Sequence, residues 1–220
     1  MKHIYKNLKN KERKAITNSK KKEHMKYSVK TIKNRNEGLK VKGFVTIMLN
    51  DEFILRHIRL IEGKNGQLFL SMPYRFRVDK NGKRVLNDMF NPTNNDFRKA
   101  LTDAAIQSLE AGGEIIVNHT ESGEDSMPME IRFRNRPVEN TNIQGFVSVV
   151  FDNCFVIKSM RFCKNENGSY FLGMPSYRAP EGYKKKYIEL CNPVTRNFSE
   201  TLLELSKEDA EKEINRPDPQ

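Results

Sequence analysis

From Tyr27 the chain alternates, with Tyr27, Val29 and Thr31 on one side and Lys26, Lys30 and Lys33 nearer the other, the period of a half-buried strand. After a turn at Asn36-Glu37-Gly38 the alternation resumes at Val41, Gly43, Val45, Ile47 and Leu49. Asn50-Asp51 signals a turn into a strand over residues 53–61, and Lys64-Asn65-Gly66 turns into residues 67–72. Connections this short predict an antiparallel meander. Met72-Pro73 ends it, because proline removes a ladder donor. Residues 74–90, YRFRVDKNGKRVLNDMF, read as a charged hairpin with Asn81-Gly82 at its tip. Past Asn91-Pro92 the period changes to that of a helix. Thr93 or Asn94 can cap it, Phe97, Leu101, Ala104, Ala105 and Leu109 share one face, and Gly112-Gly113 stops it.

The same cycle then recurs. GFVTIMLNDEFILRHIRLIEGKNGQLFLSMP, residues 43–73, aligns without a gap to GFVSVVFDNCFVIKSMRFCKNENGSYFLGMP, residues 145–175. Phe44/Phe146, Phe53/Phe155, Arg59/Arg161, Asn65/Asn167, Gly66/Gly168, Phe69/Phe171, Leu70/Leu172 and both Met-Pro pairs are identical. About eleven identities in roughly thirty positions exceed what shared strand composition produces, so the chain holds a duplicated domain. An interval of about a hundred residues suits two small domains rather than a solenoid. The expected organisation is a basic arm (1–26), a first repeat (27–112), a polar, acidic linker (113–126), a second repeat (127–206) and a C-terminal tail (207–220). The second hairpin spans residues 177–191 and its helix places Phe198, Leu202 and Leu205 in phase. Ser206 to Asp209 could break that helix or let it run on toward Ile214.

Composition changes the picture in three ways. The chain has 220 residues, enough for two compact units, with thirteen Phe and no Trp. No apolar run approaches the roughly 18–20 residues of a membrane helix, and the N-terminus lacks the apolar stretch of a secretory signal. The three cysteines, Cys154, Cys163 and Cys191, all lie in the second copy without metal-ligand spacing, as small semi-buried residues of a reducing cytoplasm. The net charge of +11 is uneven, with about +8 in residues 1–26 and about +6 in the first copy. The segment between the copies is acidic and the second copy close to neutral. Such a balance points to a polyanionic partner.

No catalytic constellation, cofactor loop or metal motif is present. His57 lies in a strand, and His3, His24 and His119 in the arm and linker. The chemistry-bearing residues are cationic. Arg75, Arg77, Lys80, Lys83 and Arg84 cluster with Tyr74 and Phe76 interleaved, and Arg98 and Lys99 follow on the helix. Arg178, Lys184, Lys185 and Lys186, with Tyr177 and Tyr183, form the counterpart. Guanidinium groups fork onto phosphate or a guanine edge, and aromatic neighbours stack on unpaired bases, so these residues are the candidate nucleic-acid contacts. Arg59 and Arg161, inside strands, could instead be structural. The rival reading is a non-enzymatic scaffold in cell division, with the near-neutral second copy offering a sheet edge or helix face to a protein.

LNDEFILRHIRLIEGKNGQLFLSMP in the first copy and MPSYRAPEGYKKKYIELCNP in the second resemble the SpoVG family (stage V sporulation protein G). The second stretch is similar to that family's MPS-x-R-x-P-[DE]-G loop and [DE]-x-x-[HN]-P exit, of which Asp88-Met-Phe-Asn-Pro92 is the first copy's version. The first copy departs from the loop, having Arg75-Phe76-Arg77-Val78-Asp79 and a longer, more basic hairpin. The resemblance implies an α+β fold, a small antiparallel sheet with a C-terminal helix, that pairs into dimers, binds DNA or RNA and acts as a cytoplasmic bacterial regulator linked to septation and sporulation. It implies no cofactor. Two copies in one chain are therefore expected to dock as an internal pseudo-dimer, a monomer in solution with no membrane partner.

Overall fold

A computed structural model describes residues 25–117 and 127–215; the basic arm up to residue 24, most of the expected linker and the last five residues lie outside them. The first repeat forms β1 (Tyr27–Lys33), β2 (Val41–Leu49), β3 (Phe53–Glu62) and β4 (Leu68–Ser71), a four-stranded meander. Asn50 and Asp51 both adopt positive φ, 48° and 55°, and so do Asp152 and Asn153 in the second copy. Two left-handed residues make the tight turn whose twist matches the flanking strands, and Asn and Asp tolerate that conformation best. Next come the hairpin strands β5 (Tyr74–Val78) and β6 (Arg84–Asp88), a short strand β7 (Phe90–Pro92) and helix α1 (Asn95–Ala111). Asn94 caps α1 by accepting from the Phe97 amide at 2.7 Å, and Gly112 closes it with φ 66°.

The segment expected to be linker opens with β8 (Glu114–Val117), which pairs with β1. Its alternation is only four residues long and is obscured in the sequence by the acidic run that follows. The second repeat then takes the same order as the first: β9 (Met129–Asn135), β10 (Ile143–Phe151), β11 (Phe155–Lys164), β12 (Tyr170–Gly173), hairpin β13 (Ser176–Arg178) and β14 (Tyr187–Glu189), β15 (Cys191–Pro193) and α2 (Arg196–Ile214). Gly43 and Gly145 are identical for a packing reason. A Cβ at either would stand 2.7 Å from Thr31 Cγ2 or 2.5 Å from the Phe133 ring. In both copies the third strand carries an extra residue opposite its neighbour, with His57 (φ 61°) and Ser159 (φ 58°) left-handed at the bulge.

The bulge divides the outer edge of that strand in two. Beyond it, β3 pairs with its own β4; before it, β3 pairs with β15 of the other repeat, Phe53 opposite Pro193 and Leu55 opposite Cys191. The reciprocal exchange places β7 against β11, Phe155 opposite Pro92 and Ile157 opposite Phe90. The two repeats thus dock as a pseudo-dimer by trading their exit strands. Arg56 and Lys158 donate backbone N–H groups to the Leu190 and Met89 carbonyls across the junction. Phe53 packs on Phe151 and Phe198 of the second repeat, and Phe155 on Phe90 and Phe97 of the first. One continuous core results.

Each helix covers the inner face of its own sheet. In α1, Phe97, Leu101, Ala104, Ala105 and Ser108 are buried; Thr31 donates its hydroxyl to the Ala105 carbonyl and its amide to Ser108 Oγ. Helix α2 continues past residue 206, where the tail was expected, with Ser206 turned inward and its hydroxyl satisfied by the Leu202 carbonyl. That extra length lets Asp209 accept from the Phe133 amide at 2.7 Å on the edge strand β9. Leu205 is only half-buried, and Ala210 completes the buried face. The three cysteines are fully rather than partly buried, and burial pushes the Cys191 thiol far above its usual range. Met25 and Lys26, the end of the expected arm, join the fold: Met25 donates its amide to Asp152 and Lys26 pairs with Asp51.

The exit strands differ in one hydrogen bond. Arg56 donates to Asn192 Oδ1, whereas the matching Asn91 Oδ1 is buried with no partner among the described residues, and Lys158 stands where Arg56 does. Lys158→Arg is therefore expected to supply that bond and raise stability by about 1 kcal/mol in urea denaturation. Phe53→Ala and Phe155→Ala should each cost about 3–5 kcal/mol, as for fully buried phenylalanines. Because each ring packs across the junction, either change should destabilise both repeats in one cooperative transition. Two separated transitions, in which only the mutated repeat shifts, would contradict the exchanged core.

Candidate nucleic-acid interface

Both helices of the described residues lie on the inner side of the sheets, so no helix among those residues covers the outer side, and the two hairpins rise near the junction. The first hairpin is closed by Asp79, whose carboxylate accepts from the Asn81 and Lys83 amides at 2.9 Å, with Gly82 at φ 74°. Its strand register sorts the cations. Tyr74, Phe76, Val78, Arg84 and Leu86 share one face, and Arg75, Arg77, Val85 and Asn87 the other, with Lys80 and Lys83 at the tip. Arg84 sits 3.9 Å above the Phe76 ring centroid, and Tyr74 packs edge-on against Phe76. The five cations expected as one cluster are therefore divided between the two faces and the tip.

Arg75 turns toward the second repeat. Its Nε lies 3.0 Å from Met89 Sδ, and burial, then the Arg161 charge, holds its guanidinium below the usual arginine value. The second hairpin leans the other way. Tyr177 OH lies 2.8 Å from His57 Nδ1 of the first repeat, with the rings edge-on. Burial and then the Arg56 charge lower the His57 pKa. With the imidazole neutral and its proton on Nε2, the tyrosine hydroxyl donates to Nδ1. Arg178 and Lys184, Lys185 and Lys186 are exposed, with Lys186 5.8 Å from the Tyr187 ring centroid.

None of these hairpin cations has a carboxylate partner among the described residues; the ion pairs there involve Lys26, Lys33, Lys42, Arg132, Arg196 and Lys207. The aromatic residues beside them are open to solvent, Phe76 at 50 % and Tyr183 at 65 %. Arg98 and Lys99 are not part of this group. They line a shallow depression with Gln67 and Leu68, at the end of β4 away from the hairpin. Arg59 and Arg161, left open between structure and function, stand by the hairpins: Arg59 lies 5.9 Å from the Tyr74 ring centroid, and the Arg161 charge is felt at Arg75. Their identity in both copies is the signal that could have nominated them. Among the described residues no group of three or more His, Cys, Asp or Glu could hold a metal, and no helix is long and apolar enough to cross a membrane.

The arrangement defines a tandem, strand-exchanged α+β protein with paired hairpins beside sheet faces that no helix of the described residues covers. The SpoVG family model matches residues 25–111 and 128–206, and the chain belongs to the SpoVG family as two tandem copies. A relative from Thermoanaerobacter sp. (strain X514), named "Putative septation protein SpoVG", is 33 % identical over 90 residues, 41 % of this chain and 92 % of the relative. One of the same name from Staphylococcus haemolyticus is 32 % identical over 87 residues, 40 % of this chain and 82 % of the relative. Each relative is thus matched nearly whole by less than half of this chain.

Desolvation of His57 beside Tyr177, and then the Arg56 charge, make stability pH-dependent. A lowered histidine pKa means the fold favours neutral imidazole, so this stabilisation is full above pH about 6.5 and is lost as pH falls through the folded value. The fall in Tm between pH 7.5 and pH 5 should accordingly be smaller in His57→Gln than in the unaltered protein. An identical fall in both would show that the imidazole does not titrate in this range.

Proposed function

We propose that this protein is a non-enzymatic, nucleic-acid-binding regulator that contacts DNA or RNA through its two hairpins. The observation that supports this most directly is the set of carboxylate-free cations interleaved with exposed aromatic rings on both hairpins. Neutralising phosphates with such groups releases counterions, so affinity falls steeply with salt. The link to septation rests on the name that the relatives carry. The near-neutral charge of the second copy is compatible with this role, because its charges are segregated. Glu200, Glu204, Glu208, Glu211 and Glu213 lie on α2, and Arg178 and Lys184–Lys186 on the hairpin.

Reversing Arg75, Arg77, Lys83 and Arg84 to Glu is expected to weaken binding strongly and flatten its salt dependence, by about one unit of slope for each phosphate no longer neutralised. Reversal of Lys184, Lys185 and Lys186 should do less, with fewer cations removed. Gel shifts of mixed-sequence DNA and RNA across ionic strength measure both. Equal weakening from the two hairpins would remove the asymmetry. No binding by the intact protein at low salt would favour a protein-binding scaffold.

A further inference from the structure

The duplication supplies a comparison within one chain. Some core positions have drifted between the copies, Ile47/Val149, Leu49/Phe151, Ile58/Met160 and Leu60/Phe162, while the buried pairs Val45/Val147, Phe53/Phe155 and Met72/Met174 are identical, as burial would lead one to expect. Phe44/Phe146, Arg59/Arg161 and Phe69/Phe171 are identical, yet none is in the core. Phe44 is 50 % exposed, Phe69 46 % and Phe171 40 %, and Phe146 is half-buried. Burial accounts for the identical core pairs and does not explain why these six residues stayed the same.

Register places each trio on the outer side of its sheet. Phe44 is directly opposite Arg59, and Arg59 opposite Ser71, so Phe69 lies two residues along β4 on the same face. The second sheet repeats this, with Phe146 opposite Arg161, Arg161 opposite Gly173, and Phe171 two residues from Gly173. Each arginine is laid down across its sheet. A Cβ at position 173 would stand 3.0 Å from Arg161 Nε, so glycine there lets the guanidinium lie flat, and Nη2 reaches the Met174 carbonyl at 3.4 Å. Arg59 Nη2 reaches Ser71 Oγ at 3.4 Å. Neither arginine has a carboxylate partner among the described residues, and most of its five donors stay available. Two other cations on these faces stand near a carboxylate: Glu130 pairs with Arg132, and Glu114 is opposite Lys30.

We propose that the two open sheet faces are base-stacking platforms for single-stranded nucleic acid, Phe44 and Phe69 on one and Phe146 and Phe171 on the other, each with its arginine placed for the phosphate between stacked bases. This rests on the nucleic-acid reading above and specifies the strand state it recognises. Bases in a duplex are already stacked and present only their edges, whereas an aromatic ring on an open sheet engages the flat face of an unpaired base. The hairpins near the junction supply sequence-independent charge, and the platforms discriminate single strands from duplex. The second platform also carries Arg134 where the first has Ile32, so it is the more cationic of the two.

The absence of tryptophan makes the test direct. Phe44→Trp and Phe146→Trp each give the full-length protein a single reporter, and a labelled mixed-sequence DNA strand of about 20 nucleotides is compared with its own duplex. Tryptophan emission should be quenched on adding the single strand and stay unchanged with the duplex, while anisotropy shows both bound at low salt. Phe44→Ala combined with Phe146→Ala should weaken single-strand binding by about 5- to 100-fold, as expected when base stacking is removed, with the salt slope kept and duplex affinity within about twofold. An unaltered thermal melt and retained binding by the tryptophan variants separate this from misfolding. Unquenched emission with the single strand bound, or equal weakening on both substrates, would overturn the platforms alone and leave hairpin binding standing. A mass change on alanine substitution with single-strand affinity intact would overturn them too, showing that the face seats a protein. If the intact protein binds neither substrate, the nucleic-acid reading itself falls.

Discussion

Three residues at the end of each hairpin, Phe90-Asn91-Pro92 and Cys191-Asn192-Pro193, pair with the sheet of the other repeat. The remaining architecture depends on that exchange. A sheet of four short strands with one helix buries too little apolar surface to be stable with a wide margin. Sharing strands lets Phe53 and Phe155 each pack under the opposite helix, so two thin cores become one. The proline that ends each exit strand costs no ladder bond, and the next residue, Thr93 or Val194, returns its amide to the Cys154 or Glu52 carbonyl. The chain then enters its helix in a direction set by the partner sheet.

The bulge at His57 and Ser159 makes room for the exchange. A regular third strand would offer one uninterrupted edge for β4 or β12 to extend along. The extra left-handed residue interrupts the ladder and twists the strand, dividing its edge between a local and an exchanged partner. It also brings the second hairpin onto the first repeat, where Tyr177 meets His57. Folding and the position of the hairpins therefore share a single backbone feature.

With both helices on the inner side, acidic and basic residues can be separated by face and not by repeat. Helix α2 carries its acids away from the open side, while Arg161, Arg178 and Lys184–Lys186 remain on or beside it. A chain-level charge map averages over this separation, so near-neutrality of the second copy conceals a cationic surface.

The sequence by itself determined the duplication, the strand and helix periods, the turns at Asn50-Asp51 and Asn81-Gly82, the caps and the family, because all of these are written in residues close together along the chain. It nominated the hairpin cations one by one. Only tertiary structure decided that Arg75 and Arg77 face away from Arg84, that Arg98 and Lys99 stand apart, and that the Arg161 charge reaches Arg75 across the junction. Those outcomes depend on strand register and on pairing between residues about a hundred positions apart, which local pattern does not encode. Strand β8 and the end of α2 escaped for a related reason: four alternating residues and a polar helical turn are weak local signals, held in place by β1 and by the Phe133 amide.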